Sequence, residues 1–389
     1  MRVLFTGHGA YGHILPLVGV AQALGRRGHA VAVATAPGFC DLVARQGLEA
    51  QPAGLDDEAV VAEAHHRWPA TRSEPPSAWT VRMFCEIAAP SMAGDLKGVI
   101  ARWRPDVVVR EEGEYGAPVA AGAAGVPWTT HAWGTPLRPP EALVDLGRLV
   151  APLWEQAGLE PPVGEELYGR ALFDPCPPSL YVTPPAVACR TVVRPAAAAG
   201  VTRAMPVPAP TARPLAYVGF GTVPLFRDAP DLVRAVVGAL VARGFDVTVT
   251  TGDDRLAGEL TRMGPGRVTV ERWVALGRLL PQCGLVACHG GAGTVLSALA
   301  AGVPLLLLPR GAPSQARMSA ACASRGVGRQ VVWDGTNPDE VAGAVDDVTS
   351  DDRFRTAAAA VAREIAAMAE PSTAADTLAA VVGHSSYSS

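Results

Sequence analysis

The sequence predicts an α/β protein built from two doubly wound, Rossmann-like domains. Three observations carry this. A β-α-β rhythm opens the chain. The same rhythm restarts after Ala204–Pro214, a stretch with four prolines in eleven residues. The length, 389 residues, suits two domains, each of about 100–200 residues.

The elements follow in order. Arg2–Thr6 is a short apolar strand that runs into glycines. Ile14, Leu17, Val18, Ala21 and Leu24 then recur at helical spacing, with Pro16 in the first turn and Gly28 at the end. Ala30–Thr35 is the second strand. Asp106–Arg110, a helix over Ala117–Ala124, and Val126–Thr130 repeat the unit. Pro-rich stretches at Trp68–Trp79 and Pro136–Pro185 read as long loops, with a short helix at Glu141–Leu149. Beyond the linker, strands are expected at Leu215–Phe220, Asp246–Thr251, Val268–Glu271, Leu285–Ala287 and Val303–Leu308. Helices are expected at Ala229–Ala242, Thr294–Ala301, Gln315–Ser324, Asp339–Val348 and Ala357–Ala369. The division is 1–203, linker 204–214, and 215–389, with a last helix over about 357–383 packing back on the first domain. Two such sheets would face each other across a cleft, and open α/β sheets bind ligands at their carboxyl edges.

Composition excludes several classes. Net charge is −4 and the charged share is 18%, which argues against a nucleic-acid binder. No apolar run approaches 18 residues, so no membrane span is expected. The start MRVLFTGHG lacks a signal-peptide layout. The seven cysteines, Cys40, Cys85, Cys176, Cys189, Cys283, Cys288 and Cys322, form no CxxC and read as reduced residues of a cytoplasmic protein. Their spacing offers no metal site; Cys288-His289 is the one adjacency.

Gly7, Gly9 and Gly12 spell GxGxxG between a strand and a helix. A dinucleotide site would want an acid at the end of the second strand. That strand ends Thr35-Ala36-Pro37-Gly38, with no acid. His13 follows the last glycine at the helix start, where the dipole favours a neutral imidazole able to accept a proton. A base histidine works better with a carboxylate that fixes its tautomer. Glu111, first past the strand Asp106–Arg110, is the favoured partner; Glu112 and Glu114 lie close by, and Glu114 stays open as partner or base.

His289-Gly290-Gly291-Ala292-Gly293-Thr294 follows an apolar strand and opens a helix. Glycine lets N–H groups approach an anion closely, and the helix end adds about half a positive charge. No Gly-Lys-Ser/Thr follows, so this is no Walker A loop. Gly221-Thr222 ends another strand on the same edge, and two glycine turns suit a diphosphate. Trp273, just past Val268–Glu271 and before Val274, can stack a base.

These residues resemble the GT-B inverting glycosyltransferases of family 1, most closely the actinobacterial natural-product (antibiotic) members. The motifs are His13 with Pro16-Leu17, and Trp273-Val274 upstream of His289-GGAGT; the likeness runs from Arg2 to about Ala369. The resemblance implies His13 as base, with Glu111 where the family has aspartate. It implies Trp273 and Val274 on the base, His289 to Thr294 with Gly221 and Thr222 on the diphosphate, and Gln315 on sugar hydroxyls. It implies an inverting transfer from a dTDP- or UDP-sugar to an acceptor hydroxyl, with no cofactor and no metal. Ser314 stands where the family has an acid, and Met318 where it has a phosphate-contacting asparagine. A carboxylate would accept two sugar hydroxyls, and without them it is a buried unpaired charge, so its loss fits a deoxysugar. Trp68, Trp79 and Trp133, beside the Pro-rich loops, are the candidate walls of an apolar acceptor pocket. The expected partners are therefore a nucleotide sugar and a small apolar acceptor, in a monomer or homodimer. The rival readings are a nucleotide-sugar epimerase and a non-catalytic auxiliary protein of a transferase.

Overall fold

The computed structural model describes residues 1–68, 76–196, 213–221 and 229–385. The chain divides into two compact units. Unit 1 is Met1–Cys176, Pro185–Ala196 and Met368–Ser389; unit 2 is Pro177–Pro184 and Ala197–Ala367. The Pro-rich stretch Ala204–Pro214 lies outside the described residues, except for Arg213 and Pro214. Two segments therefore sit with the other unit from the one the simple division gives them. Ser179 N–H donates to Glu364 at 2.8 Å, tying its turn to unit 2. Arg194 N–H donates to the Ala369 carbonyl at 2.7 Å, tying the C-terminal segment to unit 1.

Unit 1 holds seven parallel strands: β1 Arg2–Thr6, β2 Ala30–Thr35, β3 Glu49–Pro52, β4 Val107–Glu111, β5 Trp128–His131, β6 Leu172–Asp174 and β7 Arg190–Val192. Their order is β3-β2-β1-β4-β5-β6-β7. Its helices are α1 Tyr11–Arg26, α2 Cys40–Arg45, α3 Asp57–Arg67, α4 Pro76–Met83, α5 Ala89–Trp103, α6 Gly116–Ala123 and α7 Pro140–Gln156. Val107, Val108 and Val109 are fully buried, as expected for a parallel strand covered on both faces by helices. One cluster under this sheet packs Leu4, Ala32 and Val108 against Met92, Leu96 and Val99 of α5. Each such large side chain stabilises the unit by about 1.5–3 kcal/mol.

Unit 2 holds six parallel strands: β8 Leu215–Gly219, β9 Asp246–Thr250, β10 Val268–Glu271, β11 Cys283–Cys288, β12 Leu305–Leu307 and β13 Gly328–Gln330, in the order β10-β9-β8-β11-β12-β13. Its helices are α8 Pro230–Ala242, α9 Asp254–Met263, α10 Leu276–Leu279, α11 Ala292–Ala300, α12 Pro313–Arg325, α13 Pro338–Ser350 and α14 Asp352–Ala367. The chain then returns to unit 1 as α15, Ala374–Ser385. No described helix is long and apolar enough to cross a membrane.

Several elements differ from the sequence expectation. Helix α1 starts at Tyr11, so Pro16 lies inside the helix beyond the first turn, where it leaves the Gly12 carbonyl without an N–H partner at i+4. β4 runs one residue further and takes in Glu111, because Glu111 pairs in register with His131 of β5. Helix α7 runs to Gln156, since Leu143, Leu146, Val150 and Trp154 keep burying one face. The expected last helix, 357–383, is two helices, broken where Pro371 opens a tight turn. The stretch Trp68–Trp79 is framed by α3 and α4, with 69–75 outside the described residues. Between α4 and α5 the helix widens into a π-turn at Phe84–Ala88.

Candidate active site

Both sheets reverse direction of growth between the first and fourth strands of their unit. Ligands of open α/β sheets sit at the carboxyl ends of that pair. In unit 1 the pair is β1 and β4, which bond directly from Val3↔Val107 to Thr6↔Arg110. Beyond β1 comes the glycine turn that carries His13, and β4 ends in Glu111. In unit 2 the pair is β8 and β11, in register from Ala216↔Leu285 to Gly219↔Cys288 after a shift between Cys283 and Leu285. Beyond these ends lie Gly221 and His289.

The sheet order brings His13 and Glu111 together. His13 Nδ1 lies 2.7 Å from Glu111 Oε1. Gly7 makes the approach possible: a Cβ there would lie 3.0 Å from Ile14 Cδ1 and 3.3 Å from Glu111 Cγ. Glu111 is fully buried; its other oxygen, Oε2, accepts from Gly113 N–H at 2.6 Å and from Trp133 Nε1–H at 2.6 Å. Burial pulls the His13 imidazole down, but the Glu111 charge and hydrogen bond outweigh it, so its pKa stands above the ordinary 6.5. The expectation that the helix N-terminus keeps this ring neutral is therefore overridden by a nearer full charge. Burial alone would raise Glu111, and the His13 charge holds it well below the carboxylate range instead. With Nδ1 on the carboxylate, Nε2 is the ring atom that can take a proton.

The surrounding residues hold this pair in place. Phe84, placed by the π-turn, lies 5.4 Å from the His13 ring and stacks on His8 at 4.7 Å. His8 is buried, its Nε2 on the Gly113 carbonyl at 2.9 Å, and burial lowers its pKa to about 4. Arg110 is buried at the end of β4. Its Nη1 donates to the carbonyls of Glu112 at 2.9 Å and Glu114 at 3.0 Å, and its Nη2 donates to Leu167. One guanidinium thus clamps the turn that carries the acidic residues. Glu114 is turned away from His13: it accepts from Thr6 Oγ1 at 2.9 Å and from Gly116 and Ala117 N–H, capping α6. Burial raises its pKa to about 7. Sequence reasoning passed over Phe84 and Arg110, since neither a π-turn nor a carbonyl clamp has a local sequence signature.

In unit 2 the backbone shapes the candidate donor loop. Gly221 has φ +83°, and a Cβ there would meet His289 Cε1 at 2.8 Å; one on Gly291 would meet His289 Nε2 at 2.5 Å. The imidazole therefore lies between two glycines. Its Nδ1 is buried with no hydrogen-bond partner among the described residues, and burial, opposed by the Gly219 backbone, lowers its pKa to about 4. Gly291 is the N-cap of α11 and no side chain caps that end, so Ala292, Gly293 and Thr294 begin the helix with N–H groups free of side-chain caps. Gly290 has φ +84°, and a Cβ there would lie 2.5 Å from Ser319 Oγ and 2.9 Å from the Gln315 carbonyl, so α12 packs directly on the loop.

Of the other expected donor residues, Gln315 meets this loop through its carbonyl, and Trp273 and Val274 follow β10 at the sheet edge. Trp273 is half-buried past β10 and Val274 is buried. Ser314 is half-buried in the first turn of α12. Gln315 is buried, and its Oε1 accepts from Arg310 N–H at 2.8 Å. Met318 is fully buried. Thr222 lies outside the described residues. Among the described residues no three His, Cys, Asp or Glu gather as a metal site.

The three tryptophans separate. Trp79 packs in a local core with Val60, Ala64, Met83 and Ile87, with Trp68 against it. Arg82 lies over the Trp68 ring at 4.3 Å. Trp133 alone reaches the dyad, its ring edge-on to His13 at 5.0 Å.

Family models match most of both halves of the chain. The model of the erythromycin biosynthesis protein CIII-like N-terminal domain matches residues 22–199, and that of its C-terminal domain matches 234–381. An L-demethylnoviosyl transferase of Streptomyces niveus is 31% identical over 98% of each chain. The TDP-daunosamine transferase of Streptomyces peucetius is 29% identical over 79% of this chain and 80% of that one. The solved spinosyn forosaminyltransferase superposes with a TM-score of 0.76 at 25% identity, covering 98% of this chain and 99% of that one. The chain belongs to the erythromycin biosynthesis protein CIII-like glycosyltransferases, family 1 enzymes of actinobacterial natural-product biosynthesis with the GT-B fold.

Proposed function

We propose that the protein transfers a deoxysugar from a TDP- or UDP-linked donor to a hydroxyl of a small apolar natural product, inverting the anomeric centre. The carrying observation is the His13 Nδ1–Glu111 Oε1 contact at the β1/β4 edge. In this reading His13 Nε2 takes the acceptor's proton as its oxygen attacks the anomeric carbon. Glu111 supports the imidazolium that forms. The nucleoside diphosphate leaves held by the N–H groups that open α11, with the ring N–H of neutral His289 donating to a phosphate oxygen. General-base help of this kind supplies about 10²–10⁴-fold in rate.

The TDP option is supported by the relative named for a TDP-linked sugar. The deoxysugar option is supported by Ser314, a neutral residue at the first turn of α12 beside Gln315. Trp273 serves as the nucleobase platform with Val274 beside it, and Gly221 lies at the phosphates. The diphosphate charge is balanced by helix N–H groups, so no cofactor or metal is required and turnover is expected to persist in EDTA. Incubation with dTDP-deoxysugars, UDP-glucose and a panel of polyketide aglycones tests the reading by product mass and anomeric configuration. Preference for UDP-glucose, or a product with retained configuration, would overturn it.

A further inference from the structure

Trp133 touches both members of the His13–Glu111 pair. Its indole N–H donates to Glu111 Oε2 at 2.6 Å, and its ring lies edge-on to His13, 5.0 Å between centroids. Gly113 N–H donates to the same oxygen at 2.6 Å. The turn can close this way because residue 113 is glycine: a Cβ there would lie 2.4 Å from Trp133 Cζ2. A glutamate has three side-chain torsions, and its terminal one is broad. Without donors on Oε2, this carboxylate could turn either oxygen toward His13 or swing away from it. Two donors on Oε2 leave Oε1 as the oxygen that meets Nδ1.

We infer that Trp133 is a positioning residue of the dyad, holding Glu111 through its indole N–H so that the neutral His13 keeps its proton on Nδ1 and its lone pair on Nε2. This rests on the proposed role of His13 as base. The residue acts through Glu111 rather than on the sugar or the nucleotide. Its ring can still face the acceptor, but its nitrogen is committed to the carboxylate.

Trp133→Phe keeps the ring and removes the N–H. The loss of a hydrogen bond to a charged group should lower kcat about tenfold, with acceptor KM within about twofold. In a Glu111→Gln background the same substitution should change kcat less than about twofold, because the partner it acts through is gone. An equal loss in both backgrounds, or a rise in KM at unchanged kcat, overturns the assignment and makes Trp133 an acceptor wall. A second readout needs no turnover: nitrogen-15 shifts of labelled histidine report the His13 tautomer above its pKa. Trp133→Phe should convert a single Nδ1–H form into a mixture with Nε2–H. An unchanged tautomer overturns the inference even if the wild-type protein proves to have no transferase activity. Wild-type inactivity with the expected tautomer shift would instead count against the proposed function alone.

Discussion

His13 and Glu111, 98 residues apart in sequence, stand with Nδ1 and Oε1 2.7 Å from each other. The contact exists because β1 and β4 are neighbours in the sheet, so the turn after one meets the end of the other. Unit 2 repeats the device at β8 and β11, where Gly221 and His289 meet.

His13→Ala should lower kcat by about 10²–10⁴-fold, the usual range for a general base. The thermal shift produced by dTDP should stay as in the wild type, since His13 and α11 lie in different units. Full activity in the variant would move the base elsewhere.

Glu111→Gln should move the acid limb of kcat/KM to lower pH. His13 must be neutral to accept a proton, so the limb follows its pKa. That pKa is raised by Glu111 against the lowering effect of burial. Removing the charge leaves burial opposed only by the weaker pull of Asp57 and Glu112, so the pKa falls. The plateau should fall too, by roughly 10²-fold, because the imidazolium loses its support. A limb that stays in place or moves up would separate Glu111 from the base.

Glu114→Gln should leave the pH profile of catalysis alone and change that of stability. The folded carboxyl titrates at about 7 and the ordinary value is 4.5, with burial as the main cause. Its stabilising share is therefore complete below about pH 4.5 and is lost as pH rises through 7. Urea midpoints between pH 4 and 8 should decline less in the variant over that window. A kcat loss comparable with His13→Ala would instead make Glu114 part of the chemistry.

Gly290→Ala should weaken dTDP binding more than tenfold and lower Tm. The position has φ +84°, and the new Cβ would press on the Gln315 carbonyl, which is backbone and cannot turn aside. Backbone strain of this kind costs about 1–3 kcal/mol. Calorimetric titration with dTDP checks the first effect and a melting curve the second.

Trp273→Ala should raise the dTDP dissociation constant by about 5- to 150-fold, from loss of roughly 1–3 kcal/mol of base stacking. An unchanged constant would place the nucleobase elsewhere.

Much of this protein was legible locally. Short apolar runs, glycine turns and helical spacing are near-neighbour patterns, so both β-α-β openings, the GxGxxG turn before His13 and the HGGAGT loop could be read from the chain. Boundaries were less legible where partners are distant: Glu111 belongs to β4 because of His131, a residue of the next strand. The sequence favoured Glu111 over Glu114 only by its place first past the strand, because two glutamates three residues apart carry nearly the same local signal. The tertiary structure decides between them. Glu111 is held in the strand, facing the turn after β1, while the Arg110 clamp turns Glu114 onto the N–H groups of α6. Trp133 is the same kind of case. Read alone it is an aromatic beside a loop, and only the glycine at 113 and the carboxylate at 111 give its nitrogen a partner. Backbone patterns are set by neighbours in sequence; which side chain meets which is set by strand order, and strand order emerges only when the sheet has formed.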